Sequence, residues 1–177
     1  MTLQDRATLR NIKSYDYKSL NVEELSEIIK ENNIEIGVIT TFSRKIKREF
    51  IEAFPKGIIN FHPSLLPKHA GPNPFFWIIY NGDKTTATTC QLAGLEYDSG
   101  DILVQREYDV NELNSKELFV KFSDDISEIL PEILNNYENY YSKRKKAGTP
   151  EHDPKELIKD SDDEEIRKRL IRANAFY

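Results

Sequence analysis

Two short β-branched runs set the limits on what this chain can fold into. Ile34 to Thr41 is nearly continuous in apolar character, and Gly57-Ile58-Ile59-Asn60-Phe61 repeats the pattern. Runs of this kind suit strands covered on both faces. Between them Ser43 can cap a helix whose inner face would be Ile46, Phe50, Ile51 and Phe54. Strand, helix and strand with short connections make a βαβ unit, which implies a parallel pair. The expectation is an α/β protein with a mostly parallel sheet.

The rest of the chain fills in around that unit. Residues 1–20 lack clear periodicity and read as an arm or loop. Asn21 and Glu24 form a capping-box pattern before a helix with Val22, Leu25, Ile28 and Ile29 on its buried stripe. A Pro/Gly-rich loop runs from His62 to Pro72. Asn73 and Pro74 then suit the N-cap and first position of a helix carrying Phe75, Phe76, Trp77 and Ile79, which Gly82 would end. Thr85 to Leu92 and Ile102 to Val110 read as strands around the polar loop Gly94 to Asp101. Asn114 and Glu117 box a long helix with the stripe Leu118, Phe122, Ile126, Ile129 and Ile133, and Pro131 is expected to kink or break it. Tyr137 to Asp160 reads as irregular. Ser161 and Glu164 would cap a last helix ending near Asn174.

Composition narrows the class. A chain of 177 residues fits one domain. The net charge of −5 is the wrong sign for binding by phosphate neutralisation. The basic cluster Arg44-Lys45-Lys47-Arg48 is interleaved with core positions and reads as a solvated helix face; Lys143 to Lys146 is short. Cys90 is the single cysteine, which excludes an intrachain disulfide and a Cys-based zinc site. The start has no signal-peptide core, and no apolar run approaches the roughly 20 residues of a membrane span. A cytoplasmic protein is expected.

The segment from Asn60 to Asp101 carries the candidate chemistry. Asn60, His62 and Ser64 lie at or just past the C-terminal end of a strand, the edge where open parallel sheets bind ligands. Alternation puts Asn60 and His62 on one side of that strand. Asp98 lies in the second loop, and a carboxylate beside an imidazole fixes its tautomer and stabilises the imidazolium. Such a trio can run an acyl transfer, with His62 taking a proton and Asn60 steadying the oxyanion. Each residue also has a plainer reading. A histidine after a strand can be structural, Asn60 can satisfy a loop backbone, and Asp98 and Asp101 can be turn residues. His152, in the polar tail, reads as solvent-facing.

The motif around the trio resembles the 10-formyltetrahydrofolate-dependent formyltransferases, which include methionyl-tRNA, glycinamide-ribonucleotide and sugar-nucleotide amine formyltransferases. The likeness rests on Asn60-Phe61-His62-Pro63-Ser64-Leu65-Leu66-Pro67. It continues through Gly71, Pro74, Trp77, Asn81-Gly82-Asp83, Thr89 and Asp98-Ser99-Gly100-Asp101, and reaches Ile171-Arg172-Ala173-Asn174 in the tail. It implies a Rossmann-like formyltransferase domain and 10-formyltetrahydrofolate as formyl donor, with no metal. By the same likeness Asn60 polarises the formyl oxygen, His62 stabilises the intermediate and transfers a proton, and Asp98 tunes His62. Ser64 and Thr89 match supporting polar positions. Phe42, Ser43, Arg44, Lys45 and Ile46 match a segment lining the donor pocket, and Leu95, Glu96 and Tyr97 match the loop that grips the pterin. Residues 21–135 would then be the catalytic core, between an N-terminal arm, 1–20, and a C-terminal tail with a short helix, 136–177.

The sequence also departs from the family pattern. The family's first βαβ elements normally precede the helix at Val22, and about that much is absent, so the sheet would lack strands or take cover from a partner chain or a second copy. Glu96 stands where Gly is usual, which would strain the pterin loop. Thr86-Ala87-Thr88-Thr89 replaces Thr-Gly-Val-Thr, and Gln91 replaces a frequent His or Met. The acidic balance and the likeness of the tail from Asp153-Pro154 to Ala173 favour a small acceptor, a nucleotide-linked amino sugar, over nucleic acid. The alternatives are a methionyl-tRNA formyltransferase-like activity, and a truncated, non-catalytic folate-binding or interaction domain.

Overall fold

The computed structural model describes residues 2–42, 44–153 and 163–176. The N-terminal segment, expected as an arm, opens with helix α1, Leu3–Leu9, because Thr2 and Asp5 make a reciprocal capping box. Helix α2, Val22–Glu31, starts at the Asn21/Glu24 box as expected and buries Leu25 and Ile29. Strand β1 is Gly37–Thr40. Helix α3, Arg48–Glu52, is a single short turn region with Lys47 at its N-cap; Ser43, the expected cap, lies outside the described residues. Strand β2, Ile58–His62, pairs parallel with β1 in the register Gly37↔Ile58 to Thr40↔Phe61. The βαβ unit therefore forms where the two apolar runs place it.

Beyond it the sheet departs from expectation. Helix α4, Pro74–Tyr80, is followed by strands β3, Thr85–Leu92, and β4, Ile102–Asp109. The order is β1-β2-β3-β4, and β3 runs antiparallel to both neighbours. The sheet is mixed, with one parallel pair, rather than mostly parallel. The physical reason for the last pairing lies in the loop from Ala93 to Asp101. It is hairpin-sized, whereas a parallel return needs a crossover of a dozen or more residues. Gly100 closes this loop against β3: a Cβ there would stand 1.6 Å from the Leu92 carbonyl oxygen. At the other edge, β1 is less covered than its apolar run suggests, and Val38 is 41% exposed.

Helix α5, Ser115–Asn135, is capped by Asn114 and Glu117 and continues unbroken past Pro131. The proline ring leaves the Ser127 carbonyl without its intrahelical donor, and Ser127 is on the exposed side, where water can serve it. The inner face of α5 places Phe122, Ile129 and Ile133 on Ile59, Phe61, Cys90 and Leu103 of the sheet. Burial there pushes the Cys90 thiol pKa far up and leaves it inert. Helix α6, Tyr137–Ser142, occupies part of the stretch expected to be irregular; residues 154–162 of that tail lie outside the described residues. Helix α7, Glu164–Ala173, has Asp163 at its N-cap and ends at Asn174. It packs on α4 in a second cluster of Phe76, Trp77, Ile78, Ile79, Val110, Leu118 and Ala173. Among the described residues no helix is long and apolar enough to cross a membrane.

Candidate active site

Strand parity sorts the sheet into two faces. Ile59, Phe61 and Cys90 point under α5. Asn60 and His62 point the other way, opposite Gln91 and Thr89 of β3, with Gln105 of β4 next to Thr89. This face is polar yet buried: His62, Thr89 and Gln91 are each under 7% exposed. Its cover is the loop after β2 together with part of the C-terminal tail.

A buried loop is stable only if its carbonyls find donors, and here they do. Thr89 Oγ1 donates to the Ser64 carbonyl at 2.6 Å, and Ser64 Oγ donates to the Lys68 carbonyl at 2.6 Å. Gln105 Nε2 donates to the Leu66 carbonyl at 2.9 Å and to Thr89 Oγ1 at 3.1 Å. The tail supplies more. The Glu151 amide donates to the Pro67 carbonyl at 2.8 Å, the Ala70 amide to the Glu151 carbonyl at 3.0 Å, and His152 Nδ1 to the Ala70 carbonyl at 2.9 Å. His152 is exposed, as expected for the polar tail, and through this bond also clamps the loop. Farther back, Lys145 exchanges main-chain bonds with Ile102, while Lys146 and Arg144 hold the Asp101 carboxyl below the usual carboxylate range, the Lys146 hydrogen bond being the larger cause.

The expected trio converges beneath this cover. Asn60 Nδ2 donates to Asp98 Oδ1 at 3.2 Å, and His62 Nδ1 lies 3.4 Å from the same oxygen. Both His62 and Asp98 side chains are 8% exposed, so the pair is nearly out of water. Gln91 Nε2 also donates to Asp98 Oδ1, at 3.0 Å, and the Gly71 amide donates to Oδ2 at 2.8 Å. Gly71 can do so because its φ of 102° is open only to glycine. Asp98 itself sits at φ 51°, in the left-handed region that Asp tolerates. The strained position of this loop is therefore Asp98 and not Glu96, where the family's usual glycine is missing.

The His62 tautomer is not set by Asp98, as the sequence suggested. Its Nε2 lies 2.9 Å from the His69 main-chain carbonyl, which can only accept. The Nε2–H form is selected, and Nδ1 is left bare toward Asp98. Burial lowers the His62 pKa, opposed by the Asp98 charge and by the carbonyl bond. Burial thus favours the neutral imidazole, whose Nδ1 faces a carboxylate. Asn60 spends one of its amide hydrogens on Asp98 and retains the other. That arrangement can accept a proton at Nδ1 and donate to an oxyanion.

The residues expected to bind the donor divide. Lys45 Nζ meets Glu96 Oε2 at 2.9 Å, tying the loop after β1 to the loop after β3. Phe42, Leu95 and Tyr97 are all more than a third exposed at this junction, and Phe42 leans on Tyr17 at 5.1 Å between ring centroids. Arg44 is exposed, and Ile46 packs toward α2 and α3 with Phe50 instead. Ser43 lies outside the described residues. Cavities of about 540 Å³, lined in part by Tyr15, Leu20 and Glu24, and about 300 Å³, beside Ile36 and Tyr137, lie away from the trio. The position of the trio is carried by its chemistry and not by cavity size. Gln105 and His69 were missed by sequence reasoning, and Gly71 was read as part of the motif without a role; Gln105 could have been found from its parity with Thr89.

Comparison with known proteins fits this geometry. The profile of the formyl transferase family matches residues 4–134. The chain is 40% identical over 109 residues to the methionyl-tRNA formyltransferase of Borrelia hermsii, covering 62% of this chain and 35% of that protein. It is 34% identical over 132 residues to the methionyl-tRNA formyltransferase of Borreliella burgdorferi, covering 75% of this chain and 41% of that protein. The chain thus spans about two fifths of the length of these relatives. Among solved structures, the N-formyltransferase of Helicobacter canadensis in complex with folinic acid and dTDP-3-aminofucose superposes with a TM-score of 0.72 at 18% identity. That match covers 97% of this chain and 63% of that one.

Proposed function

The chain belongs to the formyl transferase family, and from that premise we propose that it transfers a formyl group from 10-formyltetrahydrofolate to a primary amine, with Asn60, His62 and Asp98 doing the chemistry. The observation that carries this reading is the convergence of Asn60 and His62 on one Asp98 oxygen, at 3.2 and 3.4 Å, in a largely buried site. The free amide hydrogen of Asn60 steadies the oxyanion that develops on the formyl oxygen. The bare Nδ1 of His62 takes the proton that the amine loses as its nitrogen bonds the carbon, and Asp98 stabilises the resulting imidazolium. The proton returns to the donor nitrogen as its bond to the formyl carbon breaks. Phe42, Leu95 and Tyr97 offer apolar surface, and loop backbone offers hydrogen bonds, for a flat heterocycle.

For the acceptor, the curated relatives favour the aminoacyl amine of methionyl-tRNA over the amino-sugar nucleotide that the tail suggested, because it is methionyl-tRNA formyltransferases that match at 34–40% identity. The amino sugar stays as a second reading on one observation, the Helicobacter canadensis fold that spans nearly the whole chain. Formyl transfer from 10-formyltetrahydrofolate to methionyl-tRNA and to dTDP-3-aminofucose, assayed side by side, decides between them. Transfer to neither, by a protein that binds folinic acid, would leave a folate-binding domain without catalysis.

A further inference from the structure

His69 is 2% exposed, carries both a main-chain and a side-chain role, and belongs to no motif that marks the reaction. Its φ of 54° turns the loop so that its carbonyl meets His62 Nε2. Its own ring is gripped on both sides. Nε2 meets Asp83 Oδ2 at 2.8 Å, and Nδ1 meets Asp153 Oδ2 at 2.8 Å. Asp83 follows α4 and also receives Lys68 Nζ at 2.8 and 2.9 Å. Asp153 belongs to the tail, just after the Glu151 and His152 contacts to Pro67 and Ala70, and its other oxygen lies 3.4 Å from Asn81 Nδ2. Neither aspartate is more than 13% exposed.

We infer that His69 is a positioning residue and that the tail segment Glu151–Asp153 is a latch on the catalytic imidazole. A carbonyl selects the Nε2–H tautomer of His62 only while it stays within hydrogen-bonding distance of that nitrogen. The His69 carbonyl sits in an irregular loop, on a residue held in the left-handed region, so loop geometry alone does not hold it. The ring provides the anchor: turning it breaks a bond to Asp83 on one side and to Asp153 on the other. The tail closes the same loop through main-chain bonds at Pro67 and Ala70, one residue on either side of Lys68 and His69. A buried cluster of this kind could serve stability alone. The direct bond from His69 to His62 makes it act on the tautomer as well. The inference rests on the reading of His62 as the proton acceptor.

The test reads the tautomer directly. The chain has three histidines, so ¹⁵N-histidine labelling of the full chain and long-range ¹H–¹⁵N correlation, with His62→Gln for assignment, resolve each ring. In the unmodified protein His62 is expected to show a protonated Nε2 and a bare Nδ1; an Nδ1–H form there overturns the inference at once, with no variant needed. In His69→Asn, which keeps a residue tolerant of positive φ, and in Asp153→Asn, the Nδ1–H form is expected to become populated. Formyl transfer kcat is then expected to fall about 10- to 100-fold with KM nearly unchanged. A His62 ring with unaltered nitrogens in both variants, with loss of thermal stability only, would reduce the cluster to a structural role. Absence of formyl transfer in an unmodified protein that shows the expected tautomer counts against the proposed function and leaves the latch standing.

Discussion

On β3, Cys90 and its two neighbours face different solvents made by the protein. Cys90 looks into an apolar layer filled by Phe122, Ile129 and Ile133 of one regular helix. Thr89 and Gln91 look into a polar layer, where Thr89 donates to the Ser64 carbonyl and Gln91 to Asp98. Both layers are buried, but they are held by different physics. The apolar side tolerates small shifts, because dispersion and area burial are non-directional. The polar side does not, because a donor displaced by an ångström leaves a buried acceptor unpaired. The side that must hold atoms in place for chemistry is the directional one.

Substitutions can separate the two layers. The largest effect is expected from His62→Ala, a loss of about 10²- to 10⁴-fold in formyl transfer, with the His69 carbonyl left unpaired at a cost of about 1–3 kcal/mol in stability. A larger loss of stability would show that the polar layer is also a folding core. Phe122→Ala should do the reverse, costing about 3–5 kcal/mol in denaturant unfolding while the residual folded protein keeps its kcat. Gln105→Ala removes the donor to Leu66 and is expected to cost about 1–3 kcal/mol together with some kcat, since it lies in the directional layer but outside the trio. Its stability and activity losses should move together.

Acid gives a smaller effect. The folded His62 pKa is lowered below its unfolded value, so below about pH 6.5 the unfolded chain binds the extra proton first. Stability should be complete above that pH and decline as pH falls toward the folded value. His62→Gln should flatten that slope, and a slope unchanged in the variant would assign it to other groups. The smallest effect belongs to Lys45→Ala. The exposed pair with Glu96 contributes about 0–1 kcal/mol to stability, so the change should appear as a raised donor KM and scarcely in the melting temperature.

What the sequence revealed follows the same division. The apolar layer was legible, because helix and strand periods write it directly: Phe122, Ile129 and Ile133 were all read correctly from spacing. The convergence of Asn60 with His62 was legible from parity, and Asp98 from its motif. The tautomer was misread because its determinant is a main-chain carbonyl, which leaves no side-chain signature at His69. The clamp on that carbonyl was not read because Asp83 and Asp153, though both lie in segments that carry the family likeness, are far apart in sequence and nothing there pairs either with His69. The antiparallel pairing of β3 with β4, by contrast, could have been read. The loop from Ala93 to Asp101 was too short for the parallel crossover that a mostly parallel sheet required.

The tail contacts bear on where this chain can be divided. A fragment ending with α5 at Asn135 would keep all four strands, the apolar layer apart from Tyr137 and Tyr140, and each member of the trio. It would lose the donors to the Pro67 and Ala70 carbonyls, the acceptor for the Ala70 amide, and the Asp153 side of the His69 ring. Such a piece would match the reactive motif in sequence and lack one wall of the site in space. The smallest unit that contains the complete site extends at least to Asp153.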